Sequence, residues 1–363
     1  MPGPRGAQPH QQVRFCRAPD GVRIAYAVHG SGPPLLVSTC WLSHLQFDWE
    51  SPVWRHFLRD LGKFATVIRF DERGHGLSDW DVTDHSLHAR VGDLEAVADA
   101  AGHERFALMA MAQGGPVAIS YTAAHPERVT RLAFYGSYSS ARQGLSADDL
   151  DVEDTFGQMI KVGWARPDST FRRVFTSLMI PGATEEQMRW LDDLQRMATS
   201  ATVAYHSRLQ RFAADADALL DRLDLPVLVL HSLRDRMNRF EYARHLATAI
   251  PGARLVGLDS DNHIVLADEP AWEVFVREVR DFMGEDATTA PLHSAPDLAD
   301  VLSARELDVL RLAATGLDNE AIADRLHLSV RTVERHLQNV YGKLDLRGRS
   351  ARTAAVARLY APA

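Results

Sequence analysis

The sequence predicts an α/β architecture, a mostly parallel β-sheet carrying a helical cap, followed by a separate and smaller all-α domain. Three observations predict it. Between residues 35 and 258, short apolar runs of four or five residues alternate with segments of helical period, the pattern of strands buried on both faces of a parallel sheet. One stretch, about 139–223, breaks that rhythm: it is helical in period throughout and rich in Phe, Met, Trp and Arg. Beyond Met283 comes GEDATTAPLHSAPDLAD, which has no periodicity, and then about 60 residues of short helices. A length of 363 residues also exceeds one ordinary domain and fits two of unequal size.

Taken in chain order, residues 1–12 are polar and proline-bearing and are expected to be disordered, without the apolar core of a secretory signal. Val13–Arg17 and Val22–Val28 alternate in polarity around Pro19-Asp20-Gly21, which predicts a hairpin. The buried strands are expected at Leu35–Ser38, Thr66–Phe70, Phe106–Met109, Leu132–Tyr135, Val227–Leu230 and Leu255–Leu258. Helices are expected at Val91–Ala101, Gly115–Ala124 and Glu241–Ala249, with the cap inserted between the fourth and fifth of those strands. The first domain thus covers 13–283, a linker 284–300, and the second domain 301–363.

Composition narrows the function classes. With 46% hydrophobic and 24% charged residues the chain reads as soluble and globular, and no run of 18 apolar residues predicts a membrane helix. Two cysteines, Cys16 and Cys40, are too few to staple it and read as free thiols in a reducing cytoplasm. No metal-ligand spacing and no dinucleotide-binding glycine pattern is present, so neither metal nor cofactor is expected. The net charge of −8 argues against a protein coated all over in nucleic acid. From Arg325 to Arg358, however, eight bases face only Glu334 and Asp345, a net of +6 over 34 residues. Such a block suits a phosphate-binding surface, although charge alone does not separate it from a solvated helical face.

The local pattern within that block does. Ser303-Ala-Arg-Glu306 fits a capping box opening a helix with Leu307, Leu310 and Ala314 on one face. Gly316 ends it, Asp318 caps a second helix, and Ser329 caps a third. In the third, Val330, Val333, Leu337, Val340 and Leu344 share an apolar face, and Arg331, Glu334, Arg335 and Gln338 point away from it. A short helix, a tight turn and such a helix make a helix-turn-helix, whose second helix offers planar donors and acceptors to base edges in the major groove. From Leu302 to Leu359 the wording, including LSARELDVLRLAATGLDNEAIADRLHLSVRTVERHLQNVYGKL, closely resembles the LuxR-type DNA-binding domain. The resemblance implies that the helix after Ser329 is the recognition helix and that the final helix, about 349–360, carries a dimer contact. Arg331, Glu334, Arg335 and Gln338 are the base-edge candidates. Thr332, His336, Asn339 and Lys343, on the flanks, are expected to hold phosphates or support the turn.

In the larger domain, Asp71-Glu-Arg-Gly-His-Gly-Leu-Ser-Asp79 follows the strand at Thr66–Phe70. Phe106-Ala-Leu-Met-Ala110-Met-Ala112-Gln113-Gly114-Gly115 runs from strand to helix through small residues. Asp235 and His263 follow two late strands. This order resembles the α/β-hydrolases, loosely across the cap, and implies a nucleophile elbow G-x-S-x-G, then an acid, then a histidine. The serine position holds Ala112, the first glycine position holds Ala110, and Thr39-Cys40 replaces the usual His-Gly before the oxyanion loop. A methyl group cannot attack a carbonyl, so the acyl-enzyme route is closed. The backbone N–H groups of Trp41 and Gln113 remain available as an oxyanion hole.

Three explanations stand at this point. The domain is a natural pseudo-hydrolase that binds a ligand; or Ala112 is an engineered Ser→Ala in an esterase or lactonase; or Asp235 and His263 serve other chemistry, as in cofactor-independent oxygenases of this fold. Ala110 and Thr39-Cys40 favour natural decay. The reading is a ligand-responsive transcriptional regulator that binds operator DNA as a homodimer, each copy reading one half-site. Its ligand is expected to be small and mostly apolar, with a carbonyl near Trp41, Ala112 and Gln113 and a polar group near Asp235 and His263. Phe171, Phe175, Met179, Trp190 and Met197 are candidate walls or cap core, and His44 and His75 either touch ligand or brace loops.

Overall fold

Eight strands form one sheet in the order β1-β2-β4-β3-β5-β6-β7-β8. The strands are β1 (Gln12–Arg17), β2 (Arg23–Gly30), β3 (Pro34–Ser38), β4 (Thr66–Phe70), β5 (Phe106–Met111), β6 (Val129–Tyr135), β7 (Val227–Ser232) and β8 (Arg254–Leu258). The computed structural model describes residues 11–38, 42–168, 170–284, 302–314, 317–344, 346, 351–352 and 355–356. β1 pairs antiparallel with β2, and β2 with β4; every later pairing is parallel. Gln11 and Gln12, expected to be disordered, are instead ordered. Gln12 pairs with Val28, and Gln11 Nε2 donates to the Leu45 carbonyl at 2.8 Å.

The central strands read as continuous apolar runs because both of their faces are buried. Along β5, Ala107, Met109 and Met111 enter one core while Phe106, Leu108 and Ala110 enter the other. The same alternation divides Ala133 and Tyr135 from Leu132 and Phe134 on β6, and Leu228 and Leu230 from Val227 and Val229 on β7. Helices cover both faces: α1 (Leu45–Trp49), α2 (Arg55–Leu61), α3 (Leu87–Ala101), α4 (Gly114–Ala124), and later α9 (Phe240–Ala249) and α10 (Pro270–Gly284). Between β6 and β7 lie the cap helices α5 (Ala147–Gly163), α6 (Thr170–Met179), α7 (Glu185–Ala198) and α8 (Ala201–Phe212), then a 3₁₀ turn at Asp217–Arg222. Ser146 and Thr184 open α5 and α7 with reciprocal capping boxes.

The C-terminal helices are α11 (Ala304–Ala314), α12 (Asn319–Leu326) and α13 (Val330–Lys343). The three expected caps are all present: Ser303 exchanges hydrogen bonds with Glu306, Asp318 accepts from the Ala321 amide, and Ser329 accepts from the Thr332 amide. Val333 and Leu337 pack with Val309 and Ile322, and Val340 and Leu344 with Leu307 and Leu310. Val330 departs from the expected face: it is 38% exposed. A helical side chain leans toward the N-terminus, so in the first turn it points past the helix end. The linker, and most of the final helix with its expected dimer contact, lie outside the described residues.

Candidate ligand pocket and DNA-reading helix

The strand-to-helix turn after β5 carries the elbow. Ala112 has φ +48°, in the left-handed region, and among the described residues only His327 shares that feature without being glycine. Such a conformation costs about 1–3 kcal/mol and is kept where surrounding packing imposes it. Here the imposition is visible at Gly115, where a Cβ would come within 2.0 Å of the Tyr138 carbonyl oxygen. The tight approach of α4 to the chain after β6 throws residue 112 to the end of the sheet. Ala112 therefore sits where a nucleophile would, without a hydroxyl.

The acid and the histidine are brought to the same end by the loops after β7 and β8. Asp235 Oδ2 lies 2.6 Å from His263 Nδ1, while Oδ1 accepts from the Met237 and Asn238 amides at 2.7 and 3.0 Å. Burial would raise the Asp235 carboxyl, but His263 and His231 outweigh it and hold the group far below the usual carboxylate range. Gly136 leaves the imidazole room, since a Cβ there would meet His263 Cε1 at 2.9 Å. Trp41, the other expected oxyanion donor, lies outside the described residues. Gln113 is the N-cap of α4, at the helix end whose first amides have no intrahelical acceptor.

Over the elbow is a cavity of about 290 Å³ whose lining includes Ala112, Gln113 and His263. Its apolar walls include Met111 and Trp54 from the core and Phe156, Leu191 and Leu194 from the cap. Of the five cap residues expected as either cavity wall or cap core, Met179 alone lines the cavity. Phe175 is buried in the cap core, Trp190 stacks on Phe47 at 4.7 Å, Met197 is exposed, and Phe171 packs beside Gly163 and Arg166. A helical face has two sides to fill, and the cap needs a core of its own. His44 caps α1 through Nδ1, and His75 is buried with Nδ1 against the Arg73 carbonyl at 3.0 Å.

Beneath the cavity runs a charge network that sequence reasoning missed. Glu72 accepts from Arg90 at 2.9 Å and from Arg211, which descends from cap helix α8. Burial alone would raise Glu72, yet Arg211 and Arg90 bring it down to about 2. The available signal was register: Arg90 falls in line with Leu94 and Val97 on the buried face of α3, and Arg211 with Ala204 and Ser207 on that of α8. Burial, with Arg211 nearby, lowers His75 to about 3 and His85 to about 4. Both are neutral when folded and take a proton when unfolded below pH ~6.5, so stability is present above that value and lost as pH falls from it toward 4. Each histidine should contribute a slope of ~1.4 kcal/mol per pH unit over that window. Urea unfolding between pH 4.5 and 7.5 checks this, and His85→Asn should flatten the curve by one such increment.

Residues 33–270 match the family described as alpha/beta hydrolase fold. The chain belongs to the α/β-hydrolase-fold family. One relative of this hydrolase-fold chain is a pimeloyl-[acyl-carrier protein] methyl ester esterase of Neisseria meningitidis, 27% identical over 276 residues, covering 73% of this chain and 78% of the other. Among solved structures, an esterase from Exiguobacterium antarcticum superposes with a TM-score of 0.65 at 21% identity, covering 76% of this chain and all of that one. The enol-lactonase of Burkholderia xenovorans LB400 does so at 0.59 and 21%, over 75% of this chain and all of its own. At these identities the two structures speak for the fold alone.

Residues 300–356 of the same hydrolase-fold chain match the bacterial regulatory proteins of the luxR family, so its C-terminal domain is a LuxR-type DNA-binding helix-turn-helix. Arg331, Glu334, Arg335, Gln338 and Asn339 are all exposed on α13. From 331 to 338 they span two turns, ~10 Å along the axis, a length that fits a major groove. Thr332 bonds Ser329 through its hydroxyl at 2.7 Å, and His336 is half-buried. Lys343, expected at a phosphate, has its ammonium 2.7 Å from Glu306, tying α13 to α11. Lys343→Ala should therefore leave the salt slope of DNA binding unchanged and cost the domain up to ~1 kcal/mol. A slope flattened by ~1 would return Lys343 to the phosphate contacts. Among the described residues, no helix is long and apolar enough to cross a membrane, and no metal-binding cluster is present.

Proposed function

We propose that this hydrolase-fold chain is a transcriptional regulator whose larger domain binds a small molecule without cleaving it, and whose LuxR-type domain reads operator DNA according to that occupancy. The observation that carries the reading is Ala112: a strained elbow, a paired Asp235–His263 and a cavity between core and cap, with a methyl group where attack would begin. The ligand is mostly apolar, with a polar end over Ala112, Gln113 and His263, the last held in place by Asp235, and with the amide of Trp41, which lies outside the described residues, as a further proposed donor. Occupancy acts by differential affinity, shifting the population between cap or dimer arrangements that space two recognition helices. The assembly is a homodimer, because one short recognition helix reads one half-site. Arg331, Glu334, Arg335 and Gln338 contact base edges, while Thr332, His336 and Asn339 hold the backbone or the turn.

A titration of the chain's own upstream DNA, with and without extracted cellular small molecules, tests this. A shift in DNA affinity with the ligand recovered intact supports the reading, and recovery of a cleaved product overturns it. The intact Asp235–His263 pair favours a second reading, an esterase or lactonase with Ala112 in place of a native serine. The ester named for the Neisseria relative belongs to that second reading.

A further inference from the structure

The Asp235–His263 pair ends in a nitrogen that has lost its donor. The Asp235 side chain is fully buried, its Oδ1 is taken by the Met237 and Asn238 amides, and its Oδ2 faces His263 Nδ1. An ionised carboxylate only accepts, so the ring proton sits on Nδ1 and the neutral imidazole presents Nε2 as an acceptor. His263 lines the cavity at 7% exposure, and its Nε2 has no hydrogen-bond partner among the described residues. Nor is that nitrogen sealed from solvent, as His75 Nε2 and His231 Nδ1 are. Beside a serine elbow it would accept from the nucleophile's hydroxyl. Here the elbow carries the Ala112 methyl. A ligand filling the cavity with hydrocarbon alone would bury this acceptor unsatisfied, which is costly.

The charges around the cavity, by contrast, are matched. On its wall Arg208 pairs with Glu153 and Arg239 with Asp149. Beneath it Arg73, Arg90 and Arg211 are balanced by Asp20, Asp93 and Glu72. Arg236, the remaining lining arginine, is exposed. A charged ligand end would therefore be buried without a counter-charge. We propose that the ligand is an uncharged amphipathic alcohol whose hydroxyl takes the place of the one missing from residue 112, donating to His263 Nε2 while its hydrocarbon body lies along Met111, Phe156, Leu191 and Leu194. This rests on the non-hydrolytic ligand reading above and names the chemical class of that ligand. Carbonyls, esters and ethers cannot donate to Nε2. A carboxylate cannot either, and it would approach the ionised Asp235. An ammonium can donate, but the carboxylate behind His263 is already taken.

The test is isothermal calorimetry on the full chain with isomeric probes, hexanol against methyl pentyl ether and octanol against methyl heptyl ether, with octanoate and octylammonium alongside. Each alcohol should bind at least about fivefold tighter than its ether, and octanol tighter than either ion. Asp235→Asn keeps the shape and the two amide bonds, but its own amide donates to Nδ1 and moves the ring proton to Nε2. The preference for alcohol over ether should then fall to about twofold or less. Ala112→Ser supplies the donor from the chain itself and should weaken octanol at least about fivefold. Equal affinity for alcohol and ether, or tighter binding of octanoate or octylammonium, overturns the inference and leaves the ligand-binding reading intact. So does a preference that survives Asp235→Asn, or octanol binding untouched by Ala112→Ser. If every probe is silent while cell extract still shifts DNA affinity, a recovered ligand without a hydroxyl overturns the inference and one with a hydroxyl supports it. If the extract is also without effect, the broader reading falls with it.

Discussion

Ala112→Ser should hydrolyse p-nitrophenyl acetate and butyrate, which the unmodified chain leaves at the buffer rate. The new hydroxyl would stand on a backbone already at φ +48°, at the cavity floor that His263 also lines. His263 is oriented through Nδ1 by Asp235 at 2.6 Å, which leaves Nε2 to take the serine proton. An activated nucleophile with a positioned base contributes ~10²–10⁴-fold, and that is the expected gain over the unmodified chain. His263→Ala in the serine background should return the rate to that of buffer. Labelling of residue 112 by a fluorophosphonate, read by intact mass, reports the nucleophile independently of turnover. A folded Ala112→Ser variant that neither turns over nor labels would mean that the elbow has lost its oxyanion donors as well as its hydroxyl.

Arg335→Ala should weaken binding to the operator by ~1–3 kcal/mol and leave random DNA nearly untouched. Arg335 is exposed one turn along α13 from Arg331, on the side opposite Val333, Leu337 and Val340, which are buried against α11 and α12. Truncating it removes donors without disturbing that packing. Fluorescence anisotropy on a footprint-defined site, repeated at two salt concentrations, separates the two roles. An equal loss on operator and random DNA, with a salt slope reduced by ~1, would make Arg335 a phosphate contact instead.

Much of this molecule is written in local pattern. Eight strands were legible from their apolar or alternating runs, although β8, expected to be buried, is a half-exposed edge strand, and the helix-turn-helix was legible because its three caps sit directly before three apolar faces. The nucleophile position was legible for a related reason: a strand entering a helix through Ala112-Gln113-Gly114-Gly115 admits few geometries, since Gly115 abuts the Tyr138 carbonyl. Asp235 and His263 were placed by chain order, and they meet. Local pattern was less informative in the cap. Its helices are amphipathic on their own account, so an aromatic such as Phe175 or Trp190 reads alike whether it fills cap core or cavity wall.

What the sequence by itself determined is the pairing of a parallel α/β sheet with a DNA-reading helix, and the absence of a hydroxyl at residue 112. Both follow from residue identity at known spacing. Only the tertiary structure decided which charges share the pocket. Arg90 and Arg211 lie 18 and 139 residues from Glu72 along the chain, and no periodicity links the three. They meet because the cap folds back over the sheet, and burial then makes their charge balance count. The pairing of Lys343 is of the same kind, with a glutamate 37 residues earlier that ties α13 to α11.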